Sequence, residues 1–224
     1  IRESQVPIAA PSANLAGRPS PTTAEHVRQD LSGWIDMILD AGPTNVGVES
    51  TVLDLTVDPP QILRPGGVSY ERLKEVLGRV EFHPDVIADR RIDLSHARSP
   101  GMKHRHYAPN AEMIVVEGEL CAVVEKTQEL ADRHKKSGKK VGILTTDENK
   151  SLYRADVVKS LGSRKDMSSV ARNLFKTLRE FEAEKVDMII AEGVAPNGLG
   201  LAVINRLRKA SGFNIVRAEK RDNC

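Results

Sequence analysis

Short polar side chains are concentrated beside turn-forming prolines and glycines near the start of the chain. The segment PSANLAGRPSPT, residues 11–22, contains Ser12, Asn14 and Ser20. Hydroxyl and amide groups on tight turns, next to free backbone N–H groups, can bind a phosphate or a ribose. The simpler alternative is an ordinary turn that leads into a capped helix, and composition alone favours that alternative.

Two further clusters offer a hydroxyl and a guanidinium. Ser50 lies in GVESTV, residues 47–52, where it either presents its hydroxyl at a sheet edge, the usual place for ligands of α/β proteins, or merely ends a turn. Arg64 leaves a short predicted strand and enters a Pro-Gly turn. A guanidinium on such a stiff base can bind a phosphate through two parallel hydrogen bonds, although a lone arginine beside a turn is more commonly a surface residue.

A fourth cluster is rich in hydrogen-bond donors for a chain of near-zero net charge. It lies between two prolines and comprises Lys103, His104, Arg105, His106 and Tyr107. These residues could close over an anionic ligand as a lid, or they could form a solvated linker. The two histidines have no cysteine or carboxylate partners at metal-binding spacings, so we expect no metal site.

Motifs of nucleophilic catalysis are missing from the sequence. It contains no G-x-S-x-G, H-E-x-x-H or P-loop pattern. We therefore interpret Ser12 and Ser50 as binding hydroxyls and assign no catalytic residue. A G-x-G at Gly198 and Gly200 follows an apolar run, but Val203 stands where a third small residue is expected, which favours a tight strand-to-helix turn over a dinucleotide site.

The elements that must position these clusters are predicted from apolar periodicity and end signals. In residues 1–80 we expect one helix from Thr22 or Thr23 to about Leu31 and another from Ser69 to Gly78, each with a hydroxyl at its N-terminus. Apolar and β-branched runs predict strands at residues 34–42, 48–57 and 61–64.

The last part of the chain alternates apolar strands with amphipathic helices. Strands are predicted at residues 113–118, 139–148, 155–162 and 186–194, and helices at 119–138, 167–185 and 199–212. In the second helix Val170, Leu174, Leu178 and Phe181 recur at helical spacing. This alternation predicts a small parallel sheet with helices on both faces.

Composition excludes several classes of protein. With 224 residues, of which 40% are hydrophobic, the chain can bury a core in one large domain or two small ones. A net charge of +2 argues against a nucleic-acid coat, and 4% aromatic residues argue against base-stacking platforms. No apolar run approaches the length of a membrane span, no secretory signal is visible, and the two cysteines show no disulfide or metal spacing, so we expect a cytoplasmic protein.

Three regions are predicted along the chain. Residues 81–110 hold four of the six histidines and several prolines without a sustained apolar period, so we interpret them as a linker or lid. Residues 1–80, which are net acidic, and residues 111–224, which are net basic, are then the two domains.

Taken in order, the motifs PIAAPSANLAGRPSPT, GVESTVLDL, ILRPGGVS and SPGMKHRHYAP resemble the L-threonylcarbamoyladenylate synthases with a YrdC-like catalytic domain, in the long form with an extra C-terminal domain. The final GLGLAVINRLRKAS resembles that extra domain, so the resemblance covers essentially the whole chain. It implies an α/β fold class, with the C-terminal part of a YrdC-like catalytic domain followed by a small Rossmann-like domain with a parallel sheet.

The resemblance implies a nucleotidyltransferase that converts L-threonine, bicarbonate and ATP to threonylcarbamoyl-AMP and pyrophosphate, for the threonylcarbamoyladenosine modification of tRNA. It implies that ATP is a substrate, and Mg²⁺ is expected with it, with no protein ligand assigned. By the same resemblance, ATP would be bound by Ser12, Asn14, Ser20 and Arg64. Ala10, through its backbone, and Ser50 would contact threonine, and Lys103 to Tyr107 would close over the site.

The chain departs from this family pattern at its start. Residue one is Ile, and the K-x-R motif that the family carries in the first half of its catalytic domain is missing from residues 1–80. We therefore expect a truncated chain that holds half a catalytic domain and has little or no synthase activity by itself. We also expect exposed apolar surface in residues 1–80, where further strands would pack.

Two other functions remain open. One is a carbamoyladenylate-forming maturation factor, although the cysteine pairs of such proteins are missing here. The other is a non-catalytic module that binds tRNA or partner proteins through the net basic residues 111–224. Salt-dependent tRNA binding by that region would favour the module, whereas protection of Ser12, Ser50 and Arg64 by ATP would favour the enzyme.

Overall fold

A three-stranded sheet organises the first part of the chain in the computed structural model, which describes residues 2–89 and 107–219. The strands are β1 (Val52–Asp54), β2 (Gln61–Arg64) and β3 (Glu81–Phe82), in the order β1-β2-β3. Strand β2 is antiparallel to β1 and parallel to β3. Helices α1 (Ala24–Leu31), α2 (Tyr70–Leu77) and α3 (Pro84–Ile87) complete this part.

The two helices predicted in residues 1–80 are confirmed, together with their end signals. Thr23 caps α1 by accepting a hydrogen bond from the His26 amide, and Ser69 caps α2 by accepting one from the Arg72 amide. Both side chains satisfy an amide that has no partner within its own helix. Gly78 ends α2 with φ +75°, a conformation that glycine adopts without steric cost.

The strand predicted at residues 34–42 is wrong. These residues form no strand, and the side chains of Trp34, Met37 and Leu39 are 84%, 73% and 88% exposed. An apolar run becomes a strand only when a neighbouring strand accepts its hydrogen bonds, and no described segment pairs with this one. Exposed apolar surface in residues 1–80, as expected, is therefore present here.

One strand is shorter than predicted, and regular structure is found at the start of the predicted linker. The strand expected over residues 48–57 is only Val52–Asp54, and its pairing with β2 contains a register shift between Val52 and Leu53. The predicted linker is also ordered at its start. Strand β3 forms there because the Glu81 and His83 amides donate to the carbonyls of Pro60 and Ile62 at 2.9 and 3.0 Å. A two-residue strand is too short to leave a periodic pattern in the sequence.

A five-stranded, all-parallel sheet organises the second part of the chain. Its strands are β4 (Glu112–Gly118), β5 (Val141–Thr145), β6 (Val157–Ser160), β7 (Met188–Glu192) and β8 (Ile215–Ala218), in the order β6-β5-β7-β4-β8. The helices are α4 (Leu120–Lys136), α5 (Met167–Ala183) and α6 (Gly200–Ala210), and Lys150–Leu152 form a short 3-10 helix. The predicted strands and helices are confirmed, whereas β8 was not predicted.

Two apolar layers cover the faces of this sheet, as parallel strands require. One layer contains the buried side of α5, including Leu174 and Phe181, together with Val203 and Leu207 of α6. The other contains the apolar side of α4. Gly142 of β5 allows the closest approach, because a Cβ atom there would lie 2.5 Å from the Phe181 ring. Helices on both faces are therefore confirmed.

Among the described residues, none of the helices is both long and apolar enough to span a membrane.

Candidate functional site

Arg64 and Ser50, which were predicted to bind different ligands, lie in direct contact. Arg64 Nε and Nη2 donate to the Ser50 carbonyl oxygen at 3.2 and 3.0 Å, and Nη2 also lies 3.3 Å from Ser50 Oγ. The pairing of β1 with β2 brings these residues together, because Val52 is the register partner of Arg64. The contact leaves Arg64 Nη1 without a hydrogen-bond partner among the described residues, so it can bind an anion.

The turn after Arg64 packs tightly against the chain on either side of Ser50. The Gly67 amide donates to the Glu49 carbonyl at 3.1 Å. A Cβ atom on Gly66 would lie 2.2 Å from that carbonyl oxygen and 2.4 Å from the Ser50 carbonyl carbon, closer than any real side chain approaches. Glycine at position 66 therefore permits the close approach that places Arg64 beside Ser50.

Ser20 belongs to a second set of contacts around Glu49. Ser20 Oγ donates to Glu49 Oε1 at 2.8 Å, and Arg206 Nε donates to Glu49 Oε2 at the same distance. Arg206 Nη2 donates to the Pro65 carbonyl at 3.0 Å, and Nη1 donates to Asn205 Oδ1 at 2.8 Å. Its side chain is completely buried. One arginine of α6 therefore connects the loop of Ser20 with the turn that follows Arg64.

Among the predicted lid residues Lys103 to Tyr107, Tyr107 is the one that the structure describes. Its buried ring stacks on Phe175 with 5.2 Å between ring centroids, and the Arg206 guanidinium lies 5.1 Å from the Tyr107 centroid. Burial raises the pKa of the Tyr107 hydroxyl. The Tyr107 ring therefore packs between Phe175 and the arginine that binds Glu49. Lys103, His104, Arg105 and His106 lie outside the described residues.

Helix α5 holds the loop of residues 15–19 through a buried ion pair. Arg179 Nη1 and Nη2 donate to the two carboxylate oxygens of Asp30 at 3.0 and 2.7 Å, and Nη2 also donates to the Pro19 carbonyl at 2.6 Å. Arg18 donates to the same carboxylate and to Glu182. Residues 18 and 19, just before Ser20, therefore make hydrogen bonds both to helix α1 and to helix α5.

The remaining predicted residues occupy more open positions. Ser12 and Ser20 line a cavity of about 650 Å³, bordered on its other side by residues 38–49. The Asn14 amide nitrogen donates to the carbonyls of Leu15 and Arg18, while its Oδ1 atom is buried and has no partner in the described part of the chain. Ala10 is exposed and is not among the residues that line the cavity.

Two carboxyl groups in these networks, the buried Asp30 and the half-buried Glu49, are held in the ionised form. Burial raises the pKa of Asp30, but Arg179 and Arg18 outweigh burial and hold that pKa below its usual value. Burial likewise raises the pKa of Glu49, and here Arg206 and Ser20 outweigh burial, so the pKa is again lowered. Charge-assisted hydrogen bonds therefore dominate the electrostatics of both clusters.

The site offers anion-binding and hydroxyl groups rather than metal ligands. Across residues 2–89 and 107–219, no cluster of three or more His, Cys, Asp or Glu side chains could hold a metal ion. The available groups are the hydroxyls of Ser12 and Ser50 and the Nη1 nitrogen of Arg64, and they suit a phosphate or a small polar substrate. The Ser20 hydroxyl proton is already donated to Glu49, so Ser20 offers its oxygen as an acceptor.

Sequence reasoning missed Glu49 and Arg206. Glu49 lies inside the motif GVEST, in which only its neighbour Ser50 was predicted to bind a ligand. Arg206 had a readable signal, because it stands three residues after Val203 and four before Ala210, within the buried stripe of α6. A charged residue on the apolar face of a helix is almost never buried without a partner. No sequence pattern indicated which partner that was.

Two family models match the chain. The model described as "Threonylcarbamoyl-AMP synthase, C-terminal domain" matches residues 68–212. The model described as "Telomere recombination" matches residues 1–66.

Curated relatives and a solved structure agree with these matches. The chain is 51% identical to the threonylcarbamoyl-AMP synthase of Pyrococcus abyssi and 47% identical to that of Bacillus subtilis, in each case over 97% of its own length. These alignments cover 61% and 60% of the two relatives, so the chain spans about three fifths of their length. The crystal structure of P. abyssi Sua5 complexed with L-threonine superposes with a TM-score of 0.90 at 50% identity, covering 97% of this chain and 62% of that one.

Proposed function

Because the chain belongs to the threonylcarbamoyl-AMP synthase family, we propose that the protein carrying it condenses L-threonine, bicarbonate and ATP to threonylcarbamoyl-AMP and pyrophosphate. The product would supply the threonylcarbamoyl group for tRNA modification. The contact between Arg64 and Ser50 is the observation that carries this proposal. It joins a group suited to phosphate with a hydroxyl suited to an amino acid, as a reaction between ATP and threonine requires.

The proposed division of labour follows the sequence prediction. Ser12, Asn14, Ser20 and Arg64 bind ATP, and Ala10 and Ser50 contact threonine. Three observations support it. Ser12 and Ser20 line one cavity, Asn14 keeps a buried Oδ1 available as an acceptor, and Arg64 keeps Nη1 available as a donor. The P. abyssi relative was solved with L-threonine bound, which supports a threonine site in this chain as well.

The proposed reaction requires positive charge positioned beside the phosphates of ATP. The carbamate oxygen formed on threonine attacks the α-phosphorus of ATP, a new P–O bond forms, and the bond to the leaving pyrophosphate breaks. Negative charge on the phosphoryl oxygens is stabilised by preorganised donors, and Arg64 is such a donor because Ser50 already fixes its guanidinium. Mg²⁺ commonly enters such sites on the phosphates of ATP, and we assign it no protein ligand.

The three-part division of the chain is also a proposal. Residues 1–80 would belong to the catalytic domain, 81–110 to a linker or lid with Lys103 to Tyr107 over the site, and 111–224 to a second domain. The separate three-stranded and five-stranded sheets support two domains. The burial of Tyr107 between Phe175 and Arg206 supports a lid that is anchored at its C-terminal end. We propose a cytoplasmic location for the protein, as tRNA modification would require.

The test is pyrophosphate release by the protein that carries this chain, with the nucleotide product identified by mass spectrometry. Release should require L-threonine, bicarbonate and ATP together, and omission of any one should abolish it. Release that does not depend on threonine would contradict the proposal. Carbamoyl-AMP formed from carbamoyl phosphate would instead indicate the maturation-factor reaction. Salt-sensitive tRNA binding without pyrophosphate release would indicate a non-catalytic module.

A further inference from the structure

Arg206 lies on helix α6 and is not one of the residues that we propose bind ATP or threonine, yet its guanidinium reaches two parts of the proposed site. Nε donates to Glu49 Oε2, whose other oxygen accepts from Ser20 Oγ. Nη2 donates to the carbonyl of Pro65, the residue that follows Arg64. Glu49 and Pro65 are therefore each one hydrogen bond or one residue away from a residue that we propose contacts ATP.

Burial makes this arrangement stiff. The Arg206 side chain is 0% exposed and that of Glu49 is 20% exposed, so water cannot readily replace their hydrogen bonds. Arg206 Nη1 is held by Asn205 Oδ1, and the Tyr107 ring lies against the guanidinium. Every nitrogen of the fork thus has its own acceptor, and the planar fork sets the angle between Glu49 and Pro65.

We propose that Arg206 is a positioning residue for the synthase reaction, through which helix α6 holds Ser20 and the turn after Arg64 at the spacing that ATP requires. The inference rests on the proposed function for the roles of Ser20 and Arg64. It gives the second domain a task in catalysis that needs no contact between that domain and a substrate. Glu49 links Arg206 to Ser20, because its carboxylate accepts a hydrogen bond from each of them.

Arg208 provides a matched control on the same helix. It forms a bidentate ion pair with Glu117 at 2.7 Å for each hydrogen bond, and its other contacts are the carbonyls of Ile87 and Ala88. The pair is as short as that between Arg206 and Glu49, but it does not reach any proposed substrate residue. Loss of a guanidinium fork from α6 is therefore common to Arg206→Lys and Arg208→Lys, and only Arg206→Lys changes the connection to Ser20.

The first measurement is steady-state kinetics with ATP as the varied substrate. Arg206→Lys keeps the charge but cannot reproduce the fork, so we expect the KM for ATP to rise about tenfold. The melting temperature and the kinetic constants of Arg206→Lys are compared with those of Arg208→Lys. Glu49→Gln, which keeps the shape of the side chain, should raise the same KM even if Arg206→Lys folds poorly. An unchanged KM for ATP in both Arg206→Lys and Glu49→Gln would overturn the proposal.

The second measurement separates positioning from general stability. If Arg206 acts through Ser20, the effect of Arg206→Lys on the KM for ATP should shrink at least about threefold in a Ser20→Ala background. Independent effects that simply multiply would show that Arg206 does not act through Ser20, and would count against the proposal.

The third measurement does not depend on catalysis. Hydrogen exchange of peptides that contain Ser20 and Gly66 should accelerate in Arg206→Lys but not in Arg208→Lys. If the wild-type protein shows no threonine-dependent pyrophosphate release, the proposed function fails, while this exchange pattern still decides whether Arg206 holds the two segments. Equal exchange in the two variants would show that it does not.

Discussion

Arg179 and Asp30 are 149 residues apart in the chain, and their side chains meet in a buried two-point ion pair with N···O distances of 3.0 and 2.7 Å. The Asp30 carboxylate is completely buried, and the Arg179 side chain is 4% exposed. The pair ties helix α1 to helix α5, and Arg179 also holds the Pro19 carbonyl beside Ser20. The two parts of the molecule are therefore joined by specific polar contacts next to the proposed site.

Replacement of Asp30 should be strongly destabilising. Asp30→Asn leaves the buried Arg179 with a single amide oxygen as acceptor and no opposite charge, and removing one member of a buried pair typically costs about 3–5 kcal/mol. The free energy of unfolding can be measured by urea denaturation. Glu25→Gln, which removes the exposed partner of Arg28 in the same helix, is the control and should have no measurable effect. Equal losses in the two variants would show that burial of the Asp30 pair has no energetic importance.

The effect of Asp30→Asn should depend on pH. The pKa of Asp30 is lower in the folded than in the unfolded protein, so its stabilising contribution is complete above the unfolded pKa of about 3.9 and is lost as the pH falls through the folded value. The difference in unfolding free energy between wild type and Asp30→Asn should therefore be constant from pH 7 to 5 and shrink below about pH 4. Urea titrations at four pH values measure it. A difference that stays constant down to the lowest pH would contradict the lowered pKa.

Arg64 should be required for nucleotide binding under the proposed function. Arg64→Lys replaces the fork with a single point charge, so we expect a loss of about 10- to 100-fold in kcat/KM for ATP. Pyrophosphate release measures this loss. Arg72→Ala is the control, because the Arg72 side chain is exposed on α2 and forms an ion pair with the exposed Glu75 three residues later. Arg64→Lys with the activity of wild type would remove Arg64 from the site.

The turn after Arg64 should tolerate no side chain at position 66. In Gly66→Ala the new Cβ atom would lie 2.2 Å from the Glu49 carbonyl oxygen, so the backbone on both sides of Ser50 must move. We expect a loss of about 1–3 kcal/mol in unfolding free energy, together with impaired ATP and threonine binding.

Gly67→Ala is the matched control for that variant. Its Cβ atom would meet only the Val46 side chain, at 3.1 Å, and that side chain can shift. Calorimetric melting and titration with each substrate compare the two variants. If Gly66→Ala bound both substrates as well as Gly67→Ala does, the close packing of the turn against Glu49 would be irrelevant to the site.

Local sequence signals were sufficient for most of the elements. The caps Thr23 and Ser69, the glycine at position 78, and the apolar spacing of α5 each act within a few residues, so the sequence predicts them directly. The order of motifs likewise identified the family. Strand β3 has only two residues and leaves no periodic signal, and strand β8 was not predicted either.

Contacts between distant residues were decided only by the tertiary structure. Residues 34–42 have the composition of a strand, but a strand needs a neighbouring partner that composition does not reveal. The sequence selected Ser20, Ser50 and Arg64 as binding residues, because hydroxyl and guanidinium groups have a chemistry of their own. It did not pair Arg64 with Ser50, or Ser20 with Glu49 and Arg206, since these contacts form only when β1 lies beside β2 and α6 packs behind them.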